Sequence, residues 1–289
     1  MGYVKNINAH ILATKNSNQI AVIIYGMDKD NNTEPSIIYN IIKGVNRYAK
    51  GIGYEAVVHL NEDPELSYLD FCRQRGLMGV ILFGVNYEDK NIKQLVESDF
   101  PCVLIDISIE GENKGCVIVN NIYYSMQATS QMIARGRKNI AMLSGHGHSL
   151  VEIERRTGYE MALSNNGIAI DSSIIINADF DLNKAYVETK KLLAAHPEVD
   201  GIFCASDFMA LGALNALKEC GKKAPEDVSV FGFDGIVLGE FFRPSLSTVR
   251  QDNLQKGYCA AQLLCGILNQ SQQEKTIVVP CEMIIRDSL

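Results

Sequence analysis

The sequence predicts an α/β protein built from two similar doubly wound, parallel-sheet domains with a ligand cleft between them. Three features carry that expectation. Short β-rich runs alternate with longer amphipathic ones, the β-rich runs are apolar throughout rather than on alternate residues, and the whole series of elements occurs twice. Uniformly apolar strands belong to a parallel sheet covered on both faces. Strand–helix alternation then specifies the doubly wound arrangement.

The first series opens with IAVIIY (Ile20–Tyr25) and a helix from Ser36 to about Lys50, which spaces Ile38, Ile41, Ile42 and Val45 along one face. YEAVVHL leads to a helix around Leu66–Arg75, GVILFG (Gly79–Gly84) to one over Asn91–Glu97, and PCVLID ends at Asp106. The second series follows VIV (Val117–Val119) with a helix over Ser125–Ala134 stopped by Gly136. NIAMLSG (Asn139–Gly145), a helix Glu154–Ser164, SIIIN (Ser173–Asn177) and a helix Asn183–Ala195 come next. DGIFCA (Asp200–Ala205), a helix Asp207–Glu219 closed by Gly221, and DVSVFGFD (Asp227–Asp234) complete it. A returning helix near Asp252–Leu268 and a terminal strand toward Ile284–Asp287 finish the chain. The expected domains are 18–120 plus 252–280, and 121–250 plus 281–289, with crossings near Asn120, Arg250 and Val279–Glu282.

Composition narrows the function. A 289-residue chain with 47% hydrophobic residues is an ordinary globular protein, long enough for two domains. Its net charge of −7 argues against this body gripping nucleic acid or an anionic membrane by itself. No apolar run approaches the roughly 20 residues of a spanning helix, and the N-terminus lacks a signal-peptide core. Eight cysteines occur without CxxC or Cys/His ligand spacing, and Cys72, Cys102, Cys204 and Cys259 sit inside apolar runs. That pattern indicates buried, reduced thiols and a cytoplasmic protein, in which the two Asn-x-Ser/Thr sequons carry no meaning.

Ligands in such folds bind beyond the carboxyl ends of the strands. The polar residues there are Met27–Asn32, Asp106, Gly145–Ser149, Phe180, Ser206–Asp207 and Asp234, with Arg155 at the start of the helix after Gly145–Ser149. Carboxylates, one arginine, a serine and an aromatic suit a small polyhydroxylated or otherwise polar ligand. Taken alone, Arg155 also suits a surface ion pair with Glu152, Asp234 a strand-end turn, and Asp207 the cap of the helix it opens. His146-x-His148 has no third ligand at metal spacing. Asp28-x-Asp30-x-Asn32 starts like a calcium loop, but Thr33 and Tyr39 stand where glycine and a bidentate glutamate are needed. A Gly-x-Ser-x-Gly elbow, a P-loop and a GxGxxG after the first strand are all missing. No enzyme activity, cofactor or metal is expected.

Four segments in order resemble the lactose-repressor/galactose-repressor (LacI/GalR) family of bacterial transcription regulators, whose core is like a type I periplasmic binding protein. They are ERRTGYEMAL (Glu154–Leu163), DGIFCASDFMALGALNAL (Asp200–Leu217), SVFGFDG, and RPSLSTVRQD. The resemblance implies a small-molecule effector, sugar-like, bound in the cleft by Asp106, Arg155, Ser206 and Asp234. Phe180 is similar to an aromatic that packs on ligand in some members, and Ile37 lies where others carry an Asn-Pro-Phe-like wall. Gln251, at a crossing, resembles a position that senses closure.

The resemblance also explains the start of the chain. Asn6 can cap a turn that puts Ile7, Ile11 and Leu12 on one stripe, too short a helix to stand alone in water. Gly2, Tyr3, Asn6, Ala9 and Leu12 match the family's hinge helix, so residues 1–17 read as a hinge remnant. By analogy Asn6, Ala9 and Leu12 meet the DNA minor groove, Leu12 as the wedge between base steps, while His10 replaces a common arginine. Operator DNA is then bound through the hinge and a helix-turn-helix domain that this chain lacks. The chain is expected to be a homodimer with no membrane partner. The competing function is a periplasmic-type sugar-binding protein for transport, which would need an export signal and has no use for a hinge.

Overall fold

The computed structural model describes residues 18–25, 34–61, 65, 67–86, 88–147, 149–271 and 274–289. Asn6, Ala9, Leu12, the loop at 27–32 and His148 lie outside them. The described chain divides into two compact units, one of 18–25, 38–118 and 253–277, the other of 34–37, 119–252 and 278–289.

In the first unit, β1 (Gln19–Tyr25), α1 (Pro35–Gly51), β2 (Glu55–Asn61), α2 (Tyr68–Gln74), β3 (Val80–Phe83), α3 (Lys90–Glu97), β4 (Cys102–Ile105) and β5 (Lys114–Ile118) follow in order. The second contributes α4 (Asn121–Ala134), β6 (Ile140–Ser144), α5 (Leu150–Asn165), β7 (Ile175–Asn177), α6 (Leu182–Ala195), β8 (Gly201–Cys204), α7 (Asp207–Glu219), β9 (Ser229–Asp234), α8 (Leu238–Phe241) and β10 (Ser247–Gln251). The chain then gives α9 (Asn253–Leu268) and β11 (Thr276–Val278) to the first unit, and β12 (Cys281–Ile284) to the second.

The strand orders are β11-β5-β4-β3-β1-β2 and β12-β10-β9-β8-β6-β7. Each unit therefore runs second, first, third, fourth and fifth strand across, with a late strand at the edge. The order reverses beside β1 in one unit and beside β6 in the other, which makes the carboxyl ends there the natural ligand positions. The central pairings are parallel, with Ala21 opposite Val80 and Ile140 opposite Gly201, whereas β12 pairs antiparallel with β10. Strands β3, β4, β6 and β8 are buried at every residue, as their unbroken apolar runs require.

Local differences from the expected elements have local causes. Helix α4 begins at Asn121, not Ser125, because the Asn120 side chain accepts a bond from Tyr123 N–H and caps it early. Helix α5 begins at Leu150 rather than Glu154, and its cap Ser149 makes no side-chain bond. The terminal strand lies at Cys281–Ile284 rather than Ile284–Asp287, registered by Val249 opposite Met283. Val117 and Ile118 of VIV belong to β5 of the first sheet, and Val119 follows it.

Two glycines fix how the first unit closes on its returning helix. A Cβ on Gly44 would meet the Leu254 carbonyl oxygen at 2.1 Å, and one on Gly257 would meet that of Ile41 at 2.1 Å. Helices α1 and α9 thus touch backbone to backbone, which only glycine allows. All eight cysteines are free thiols, and burial pushes Cys72 up to about 12 and Cys102 up to about 11. Among the described residues no helix is long and apolar enough to cross a membrane.

Candidate functional site

In the second unit the candidate residues gather around Arg155, which stands on α5 and is 4% exposed. Its Nε donates to Asn121 Oδ1 at 3.1 Å, and its Nη1 donates to the Ala205 carbonyl at 2.5 Å and to Asp234 Oδ1 at 3.5 Å. The guanidinium carbon lies 3.8 Å from the Phe233 ring centroid. Ala205 directly follows β8 and Asp234 ends β9, so the arginine is pinned across the carboxyl ends of two neighbouring strands. Gln251 Nε2 donates to the same Asp234 oxygen at 2.8 Å. A buried guanidinium with this many acceptors is a rigid fork rather than a surface ion pair.

Glu152 does not pair with Arg155 by a hydrogen bond. Its Oε2 accepts the Gly145 N–H at 2.7 Å, just past β6, while Oε1 is buried with no hydrogen-bond partner. Burial pushes this carboxyl up to about 7, against the opposing pull of the Gly145 N–H and of the Arg155 and Arg156 guanidiniums. Phe180 covers the same loop: a Cβ on Gly145 would strike its ring at 2.1 Å. His146 stacks edge-on to Phe180 at 5.8 Å, and its Nδ1 lies 3.0 Å from Asp179 Oδ1, while Lys184 binds the other oxygen, Oδ2.

The cap expected of Asp207 falls to Ser206, a candidate ligand residue. Ser206 caps α7, its Oγ accepting the Met209 N–H at 3.3 Å. Asp207, expected as the cap, is fully buried: Oδ2 accepts the N–H groups of Gly235 and Ile236 at 2.8 Å each, and Oδ1 accepts the Thr248 hydroxyl at 2.6 Å. Burial and the nearby Asp234 raise its carboxyl, while these three donors oppose the rise. It ties the Asp234 turn to β10.

In the first unit Asp106 follows β4, and its Oδ2 accepts from the Lys256 ammonium on α9 at 2.6 Å, while Oδ1 is buried without a hydrogen-bond partner. Ile37, in the stretch 34–37 that goes with the second unit, lies half-buried in the first turn of α1, where its N–H reaches the Glu34 carbonyl at 3.0 Å. Asp106 (φ 66°), Asp179 (φ 51°), Phe180 (φ 57°) and Asp234 (φ 122°) all hold positive-φ backbone at or just past the carboxyl end of a strand. Such strain in non-glycine residues collects where a fold positions side chains for use. Among the described residues no group of three His, Cys, Asp or Glu is placed to hold a metal ion.

Asn121, Glu152 and Lys256 enter this arrangement without having been marked as site residues by the sequence. Lys256 carried a signal, a lone cation in the apolar helix NLQKGYCAAQLLCGIL. Asn121 carried none beyond a helix start.

A profile described as the periplasmic binding protein-like domain matches residues 129–289. The transcriptional regulator MalR of Clostridium butyricum is 30% identical over 99% of this chain and 86% of its own length. The chain belongs to the LacI/GalR family of transcriptional regulators. The HTH-type regulator CelR of Thermobifida fusca is 28% identical over the whole chain and 86% of its own length. Among solved structures, a CelR–cellobiose complex superposes with a TM-score of 0.84, at 25% identity over 98% of this chain and 89% of that one. A LacI-type regulator from Bacillus cereus subsp. cytotoxis reaches 0.86, at 26% identity over 94% and 98%.

Proposed function

We propose that this chain is the effector-binding and dimerisation core of a LacI/GalR-type regulator, controlling operator binding through a small polar metabolite, a sugar or sugar derivative. The observation that carries the reading is Arg155: a buried guanidinium held by Asn121, Ala205 and Asp234 across the carboxyl ends of β8 and β9. In the second unit Phe180, Ser206 and Asp234 supply an apolar face, a hydroxyl and an acceptor; in the first unit Asp106 is a further candidate acceptor. Ile37 adds an apolar wall. Effector binding shifts the population of two arrangements of the core, and paired hinges at Asn6, Ala9 and Leu12 carry that shift to operator DNA. The domains used are 18–120 plus 252–280 and 121–250 plus 281–289, after a hinge at 1–17.

The protein acts in the cytoplasm as a homodimer and catalyses nothing, in keeping with relatives that are named as regulators. CelR was solved with cellobiose, which supports a sugar as effector here. Transport is the weaker reading, because the relatives that span this chain regulate transcription.

The test is a thermal-unfolding screen against sugars, sugar phosphates, nucleosides and purines. A ligand at 100 times its Kd adds about 2.7 kcal/mol, which raises Tm by several degrees in a chain of this size. The shift should vanish in Arg155→Lys, which folds with a cation but loses the fork. A shift that survives in Arg155→Lys would place the site elsewhere.

A further inference from the structure

The regulator reading leaves one buried group unused. Glu152 is 3% exposed and stands one turn before Arg155 on α5, so the two side chains share a helix face. Its Oε2 is occupied by the Gly145 N–H at the carboxyl end of β6, and its Oε1 is buried with no hydrogen-bond partner. A buried carboxyl oxygen without a partner is costly, of the order of 1–3 kcal/mol or more. A first-turn glutamate suits the dipole of α5, but that role leaves Oε1 unused, and Arg155 takes its acceptors from Asn121, Ala205 and Asp234 instead. Gly145, whose N–H holds Oε2, packs against the ring of Phe180 in its strained turn, and Arg155 stands one turn further along the same helix.

We infer that Glu152 is a specificity-determining residue, whose free Oε1 accepts a hydrogen bond from a hydroxyl of an uncharged, polyhydroxylated effector. This rests on the effector-binding reading and narrows it. An ionised carboxyl at that point rewards a donor and repels a carboxylate or phosphate, so neutral sugars are taken and sugar acids and sugar phosphates refused. The charged groups around it are Arg155 and Arg156 on its own helix, His146 in the loop it holds, the Asp179–Lys184 pair beyond Phe180, and Asp234 behind Arg155. The guanidiniums favour the ionised form, and burial opposes it, leaving the carboxyl near half-ionised at neutral pH. With Oε2 held by the Gly145 N–H, the protonated carboxyl carries its proton on Oε1, so a ligand hydroxyl that donates to Oε1 engages the ionised form, and binding in that mode drives a proton off Glu152.

The experiment is calorimetric titration of the wild-type protein with glucose, maltose and cellobiose, and with glucuronate and glucose 6-phosphate. Each is run from pH 6 to 8 in two buffers of different ionisation enthalpy. At least one neutral sugar should bind with release of up to about one proton, its affinity rising by up to about tenfold per pH unit below about 7 and levelling above it. Glu152→Gln should fold and bind with neither proton release nor pH slope. Neutral-sugar binding without proton release, or an unchanged slope in Glu152→Gln, overturns the inference and leaves the effector reading standing. Binding of only the anionic probes, with proton uptake, overturns the ligand class. Failure of every probe to bind removes the effector reading and this inference with it.

Discussion

Lys256 Nζ and Asp106 Oδ2 lie 2.6 Å apart, and the lysine side chain is 1% exposed against 16% for the aspartate. The pair joins α9 to the turn after β4 inside the first unit. Removing one partner of a buried pair leaves an uncompensated charge and costs about 3–5 kcal/mol, more than the intact pair contributes. Lys256→Met should therefore destabilise the protein by about 3 kcal/mol, at the low end because Asp106 reaches solvent. Adding Asp106→Asn to Lys256→Met should recover most of the loss. Urea unfolding of the wild type, both single variants and the double variant gives the coupling directly. An additive double variant would mean that the two groups do not stabilise each other.

Glu152 sets a pH dependence with a definite sign. Its folded carboxyl sits at about 7, above an unfolded value near 4.5, so the folded state holds the proton more tightly. The associated stability is fully present below about pH 4.5 and is lost as pH rises through about 7. The loss amounts to about 3 kcal/mol by pH 8, from a shift of about 2.5 units. Glu152→Gln removes that component, so the variant should overtake the wild type in Tm as pH rises from 5 to 8. A difference between the two that stays flat with pH would show that the carboxyl titrates normally.

Ser206 and Asp207 should respond very differently to alanine. Ser206→Ala loses one cap bond, from Met209 N–H, and should cost about 1 kcal/mol. Asp207→Ala strands the Ile236 N–H and leaves the Gly235 N–H only its 3.3 Å bond to Thr248 Oγ1 and the Thr248 hydroxyl only its 3.4 Å bond to the Val249 carbonyl. With a buried orphan costing about 1–3 kcal/mol and two further donors weakened, the loss should clearly exceed that of Ser206→Ala. Equal effects of the two substitutions in chemical denaturation would contradict the tie between α7 and the Asp234 turn.

The elements most legible in the sequence are those with the least competition for their residues. IAVIIY, GVILFG and DGIFCA are apolar on both faces, and the fold offers such runs one place, the centre of a parallel sheet. Helix starts were less legible because capping depends on where one side chain turns. Asn120 opens α4 four residues ahead of its apolar periodicity, and Ser206 takes the cap that Asp207 was also chemically fit to take. In the candidate site, motif residues such as Arg155 and Asp234 were visible because their spacing recurs in a recognisable pattern. Glu152 and Lys256 were not, since burial of a charge is a tertiary fact. Nothing in Glu-x-x-Arg or in a lone lysine states which face of the helix is covered.

Gly257 offers a test of the packing that the sheet order imposes on the first unit. Glycine inside a helix costs about 0.5–1 kcal/mol relative to alanine, so Gly257→Ala on an open helix face would stabilise. Here the added Cβ would lie 2.1 Å from the Ile41 carbonyl oxygen and 2.8 Å from its carbonyl carbon, both backbone atoms that cannot rotate away. Gly44 faces the Leu254 carbonyl in the same way, so the two helices cannot separate at one glycine without losing the fit at the other. Gly257→Ala and Gly44→Ala should each destabilise by about 1–3 kcal/mol, the usual cost of overpacking, despite the gain in helix propensity. Because one shared displacement of α9 relieves both clashes, the double variant should lose less than the sum of the singles. Strict additivity would mean that the two contacts yield independently, and a stabilised single variant would mean that α1 and α9 are not in backbone contact.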